Sequence, residues 1–183
     1  LSADAAQQIK IHTYLSAEKR IRLEPGTVIF TGLGVLTDTQ RMVAESIWDR
    51  LDQPDAPFRL LNHPAQSLGR YDLLKELHDQ RLNRFRAFRT RELTDAEPNY
   101  PVFLREEFKH TGSLTDLIHD RTTLDRSITK LCSEGYRKDH LLVVEYVDTS
   151  DSDGFFRKYS VQVLGNEIIP RYLSIDRHWV VKE

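Results

Sequence analysis

Apolar residues along this chain change their spacing several times, and each change marks an element. Pro25-Gly26 punctuates a turn, and Thr27-Val-Ile-Phe-Thr31 then concentrates β-branched and aromatic residues, which predicts a buried strand. After Gly32-Leu-Gly34, Thr37 or Asp38 is placed to cap a helix over residues 39–51. There Met42, Val43, Ile47 and Leu51 recur at helical spacing. Phe58-Arg-Leu-Leu61 predicts the next strand, so residues 27–64 read as a βαβ-like unit ending in Asn62-His63-Pro64.

Leu73, Leu74, Leu77 and Leu82 predict a second long helix over 70–82. Asn83-Arg-Phe-Arg-Ala-Phe-Arg89 alternates cations with apolar residues, as a strand with one wet face would. Val102-Phe-Leu-Arg105 predicts a short strand after the loop bracketed by Pro98 and Pro101. Two capping-box-like pairs follow, Ser113 with Asp116 and Thr122 with Asp125. The second opens a helix carrying Leu124, Ile128 and Leu131, stopped by Gly135. A strand over 141–147 comes next. Residues 1–24 are polar, helical near their start, with a basic extended piece at Lys19-Arg20-Ile21-Arg22-Leu23.

Gly165-Asn166 fits a two-residue hairpin loop, pairing 155–164 with 167–174. In that register Leu164 faces Glu167, Ser160 faces Arg171 and Lys158 faces Leu173. Alternation then gives a core face of Arg157, Tyr159, Val161, Val163, Ile168, Pro170 and Tyr172. The other face carries Lys158, Ser160, Gln162, Glu167, Ile169 and Arg171. Lys158 and Arg171 lie diagonally on it, within reach of one shared polyanion. The competing reading is a solvated sheet edge kept soluble by its charges.

At 183 residues, with 30% charged and 39% hydrophobic residues and a formal net charge of -2, the chain has a globular balance. Nothing in it draws the whole protein to nucleic acid or an anionic membrane. The longest aliphatic cluster stops at Glu145, well short of the roughly 20 residues a membrane span needs. A single cysteine, Cys132, excludes an internal disulfide and fits packing in a reducing compartment, so a cytoplasmic protein is expected. The chain starts at Leu1 and stops just after Trp179-Val-Val181, which leads us to expect a longer parent. Six of its histidines (His63, His78, His110, His119, His140 and His178) are scattered without metal-ligand spacing, and no metal ligand is assigned. Gly32-Leu-Gly34 invites a phosphate-binding reading, but it lacks the full dinucleotide fingerprint and is read as a tight strand-to-helix turn. Asp148-Thr-Ser-Asp-Ser-Asp153-Gly154 is read as a polar turn, because a calcium loop would need a terminal Glu and flanking helices.

Taken together, residues 60–183 resemble the ATP-grasp superfamily, in particular its ATP-grasp-like members. Leu60-Leu-Asn-His-Pro64 with Leu68-Gly-Arg70 resembles the segment before the first nucleotide-contacting cation. Tyr100-Pro-Val-Phe-Leu-Arg105 is similar to the strand that supplies the second, and Val143-Val-Glu-Tyr-Val-Asp148 to the hinge that holds adenine. Arg157-Lys-Tyr-Ser-Val-Gln-Val-Leu-Gly165 resembles the strand after the hinge. The resemblance implies an α+β (α/β), two-lobe fold: an N-terminal βαβ-like region over 1–64, a first lobe over 65–142, then the hinge and part of a second lobe over 143–183.

It further implies an ATP-dependent ligase that activates a small-molecule or peptide carboxylate as an acyl phosphate for attack by an amine. Glu145, Tyr146 and Val147 would meet the adenine edge and Asp148 the ribose. Arg70 and Arg105 would hold phosphates from one lobe, and Lys158 and Arg171 from the other, as the catalytic cations. Three departures stand beside this. Arginines replace both expected lysines, and residues 106–113, which replace a glycine-rich loop, contain one glycine and two acids. The acidic ligands for Mg2+ would lie on a later strand. The alternatives are a catalytically degenerate ATP-grasp-like protein that binds a nucleotide or partner, and a structural interaction domain.

Overall fold

Thr37 begins the longest helix with a complete capping box. Its hydroxyl accepts from the Gln40 amide at 3.4 Å, and the Gln40 side chain accepts from the Thr37 amide at 2.9 Å. The computed structural model describes residues 9–18, 23–164 and 166–181, with the side chain of Leu164 excepted. The helical start expected within residues 1–8 and most of the basic piece at 19–22 lie outside the described residues. The chain divides into two units, Leu1–Leu73 and Leu74–Glu183.

In the first unit, helix α1 (Tyr14–Glu18) precedes strand β1 (Gly26–Ile29), helix α2 (Asp38–Leu51) and strand β2 (Phe58–Leu61). β1 and β2 pair in parallel with Gly26 opposite Phe58 and Ile29 opposite Leu61, and α2 is the crossover between them. This is the βαβ unit the spacing predicts. Its core is Phe30, Leu33, Leu36, Ala44 and Ile47, with Tyr14, Val28 and Trp48 packed around them. Met42, expected among the apolar supports of α2, is 69% exposed. The Tyr14 hydroxyl donates to the Thr31 carbonyl at 2.7 Å and accepts from the Thr31 amide, which fastens α1 to the end of β1.

Helix α3 (Arg70–Asp79) runs across the division and ends earlier than the leucine spacing predicts. Arg81 adopts a left-handed φ of 61°, and the amides of Leu82 and Asn83 turn back onto the Leu77 carbonyl. Leu82 is left exposed.

In the second unit, β3 (Ala87–Arg89), β4 (Val102–Glu106) and β5 (Leu141–Glu145) form an antiparallel sheet in the order β3-β5-β4. Helix α4 (Arg121–Ser133) packs Leu124, Ile128 and Leu131 against Phe88, Val102, Leu104, Leu141 and Val143. Each fully buried leucine here contributes about 1.5–3 kcal/mol relative to exposure. Cys132 is one of the partly buried residues around this core, in keeping with a packing role.

Two capping expectations are corrected. α4 starts two residues earlier than read, because Asp120 rather than Thr122 caps it, accepting from the Thr123 amide at 2.9 Å. No helix starts at Ser113. Its hydroxyl donates to the Thr115 carbonyl and accepts from the Thr115 amide, closing a local turn in place of a helical one. The strand expected over 83–89 is confined to its last three residues.

Strands β6 (Phe156–Leu164) and β7 (Glu167–Asp176) form a two-stranded antiparallel ribbon. Leu164 faces Glu167 as the loop length predicts, but the ladder shifts between Val161↔Pro170 and Ser160↔Tyr172. Arg171 is the extra residue of this bulge. Pro170 has no N–H to give the ladder, and bulges are where a strand accommodates proline. From there on the expected register is off by one: Lys158 faces Ser174, Tyr159 faces Leu173, and Tyr172 moves to the face of Lys158. The expected core face is not a core either. Tyr159, Val163 and Ile168 are 71%, 65% and 69% exposed, and the ribbon is exposed along its length.

Candidate functional site

Alternation across β3-β5-β4 sorts the expected nucleotide contacts onto two faces. Val102, Leu104, Leu141 and Val143 point at α4, so Phe103, Arg105, Leu142 and Val144 belong to the opposite face. On that second face Leu142 stands between Arg89 on β3 and Arg105 on β4, and Val144 between Ala87 and Phe103. The central strand then leaves the sheet as Tyr146, Val147 and Asp148.

Aromatic residues gather where it leaves. The Trp179 ring lies 4.9 Å from Phe103 and 5.6 Å from Tyr146, the latter edge-on. The Tyr146 amide donates to the Pro101 carbonyl at 2.9 Å, which holds the chain just after β5 to the start of β4. Burial, followed by the neighbouring charge and hydrogen bond of Asp148, raises the Tyr146 phenol above its ordinary pKa. Asp148 spends one carboxylate oxygen on the Ser150 amide at 2.8 Å, and this bond lowers its pKa.

Glu145 belongs to the helix-side face, opposite Val102, and is 4% exposed. Its carboxylate accepts from the Arg86 guanidinium at 2.9 and 2.5 Å, from the Arg86 amide at 2.8 Å and from the Asn99 amide at 2.6 Å. Burial raises its pKa as the largest single effect, but these four bonds and the Arg86 charge together hold it below the ordinary glutamate value. The side chain is therefore engaged on the side of the sheet away from Arg105, while the backbone at 145–147 continues along the strand.

Glu107 is held in the same manner. It is 2% exposed, with Arg89 donating to it at 3.1 and 2.6 Å and its own amide donating to the His140 carbonyl at 2.8 Å. Segment 106–113 is thus pinned at its beginning.

Arg70 opens α3 in the first unit, and the remaining candidates lie in the second. Lys158 sits exposed on β6 opposite Ser174. Arg171 occupies the bulge, its guanidinium 5.9 Å from the Tyr172 ring. The simple ladder that would set these two cations diagonally is absent, because the bulge intervenes. The acidic turn after the hinge closes on itself: Asp151 accepts from the amides of Asp153 and Phe155 and pairs with Arg157. Among the described residues no three His, Cys, Asp or Glu side chains converge on a possible metal position.

Sequence reading missed Arg86, Arg89, Asn99 and Trp179. Both arginines were assigned to a wet strand face, and their carboxylate partners lie 59 and 18 residues away, a separation that periodicity does not register. Pro170, by contrast, was a local signal for the bulge. Among the described residues no helix is long and apolar enough to cross a membrane. No protein-family profile matches the chain, and no curated protein or solved structure shows significant similarity to it.

Proposed function

We propose that this chain binds ATP in the manner of ATP-grasp proteins and serves an ATP-dependent ligase reaction. One observation supports the reading above others. The sheet face turned away from α4 carries Arg105, three ladder pairs from the Glu145 end at which segment 146–148 leaves the sheet, and the rings of Phe103, Tyr146 and Trp179 gather at that end. An apolar sheet face with a cation on one strand, and carbonyls where the neighbouring strand leaves the ladder, is suited to a flat base with a phosphate tail. In this reading backbone groups of Glu145, Tyr146 and Val147 read the adenine edge, and Asp148 lies toward the ribose. Arg105, Lys158 and Arg171 offset phosphate charge.

The reaction follows from those partners. A carboxylate oxygen of a small molecule or peptide attacks the γ-phosphorus and the bond to ADP breaks. An amine then attacks the acyl phosphate carbon, and inorganic phosphate leaves with the bonding pair. Such chemistry relies on positioning and charge neutralisation rather than on a protein nucleophile. Isothermal titration with magnesium ATP tests the binding. Saturable heat that is weakened at least about tenfold in Arg105→Met, a loss of about 1.4 kcal/mol, is expected. Absence of heat in the unaltered chain would sink the reading.

A second reading, nucleotide or partner binding without catalysis, draws on the pinned Glu107 and on Trp179 lying over the same face as Arg105. ATP-dependent phosphate release that rises with an added pool of carboxylates and amines would exclude it.

A further inference from the structure

The first unit holds a cavity of about 580 Å3 that the nucleotide reading does not use. It lies at the carboxyl ends of the parallel strands β1 and β2, the place where open α/β units collect their ligands. One wall is residues 30–34, and the other is Asn62, His63, Gln66 and Ser67.

Both walls are fixed by partly buried polar contacts. The Asn62 amide donates to the Phe30 carbonyl at 3.0 Å from a backbone with φ of 63°, tying the end of β2 to the end of β1. Arg41 on α2 reaches between them, donating to the carbonyls of Leu33 at 3.2 Å, Pro64 at 3.0 Å and Ser67. Three neutral carbonyls take up its donors, and among the described residues it makes no ion pair. The cavity lining contains no carboxylate. A guanidinium whose donors end on neutral carbonyls therefore stands behind a cavity of neutral walls, which favours an anion there.

The donors agree in sign. Gly32 is left-handed, with φ of 69°, and Leu33 begins a right-handed 3-10 turn. That change of hand makes successive amides converge in a concave nest suited to an anion. The Ala65 amide donates to His63 Nδ1 at 3.1 Å, so neutral His63 keeps its proton on Nε2 as a donor. Thr31, Gln66 and Ser67 add uncharged donors.

We propose that this cavity binds the oxyanion end, carboxylate or phosphate, of a small organic ligand. This inference does not rest on the ATP reading. The Trp48 ring packs 4.3 Å from the His63 ring, and Trp48 and Trp179 are the two tryptophans of the chain, so Trp179→Phe leaves one reporter beside the cavity.

Inorganic phosphate and acetate, titrated separately at constant ionic strength, are the probes. Saturable shifts of the Gly32, Leu33 and Gly34 amide resonances together with a change in Trp48 emission are expected for one or both. The tighter of the two identifies the ligand group. Gln66→Glu keeps the shape of an exposed side chain while adding a negative charge to the wall, and it should weaken binding at least about threefold. Arg41→Gln should weaken it further, with circular dichroism confirming its fold. Unsaturable shifts with both probes, or equal affinity in Gln66→Glu, would overturn the proposal. Either result would leave magnesium ATP binding in the second unit unaffected.

Discussion

Arg86 and Glu145 form a two-pronged ion pair, Nε and one terminal nitrogen at 2.9 and 2.5 Å from the same carboxylate oxygen, across 59 residues of chain. The pair joins the start of β3 to the end of β5, where the central strand gives way to the hinge segment. Two backbone amides complete the shell, so the buried charge is matched by donors on every side that matters.

Removing one partner leaves the other desolvated. Glu145→Gln and Arg86→Met are each expected to cost about 2–3 kcal/mol, discounted because Arg86 is one-third exposed, as read by urea unfolding. The pH dependence has a definite sign. A glutamate held below its ordinary value of about 4.3 stabilises the fold above that value, and the contribution disappears as pH falls through the folded pKa. Unfolding free energy should therefore fall on the acid side in the unaltered chain, and less so in Glu145→Gln. Parallel acid limbs would contradict the assignment.

Tyr100 predicts the alkaline limb. Burial first, then the nearby Glu97 carboxylate, push its phenol up to about 12. A raised acid stabilises the fold below its unfolded pKa of about 10 and loses that contribution between about 10 and about 12. Near-ultraviolet absorbance should show one tyrosine ionising later in the native chain than in Tyr100→Phe, and that variant should keep more of its stability in this window.

The bulge at Arg171 can be tested by cross-linking. With Cys132 replaced by alanine, Lys158→Cys with Ser174→Cys places two thiols directly opposite, and air oxidation should close a disulfide. Lys158→Cys with Leu173→Cys, the pair of the unbulged register, should stay reduced because the side chains point to opposite faces. The reverse outcome would restore the simple ladder.

Burial separates the ribbon from the sheet it follows. Leu104→Ala removes a side chain with no exposed surface and should cost about 2–5 kcal/mol. Val163→Ala, at a site 65% exposed, should stay within about 0.5 kcal/mol. In the first unit, Thr37→Ala breaks the capping box of α2 and should cost about 1 kcal/mol. Thermal or urea unfolding orders all three.

The sequence by itself determined the elements and the α+β class. The β-branched run Thr27–Thr31 marked β1, the apolar Phe58–Leu61 marked β2, the spacing of Val43, Ile47 and Leu51 marked α2, and Leu124, Ile128 and Leu131 marked α4, because a strand or helix that buries one face must repeat its apolar residues at the matching period. Tertiary structure decided what the charges do. Periodicity assigns a charged residue to a face but does not name its partner, so Arg86 and Arg89 looked solvated until strand order brought Glu145 and Glu107 to them. It also decided the faces of the candidate site. One residue inserted at Pro170-Arg171 reverses every side chain beyond it, and β5 turns Glu145 away from Arg105 because neighbouring residues of a strand point to opposite sides.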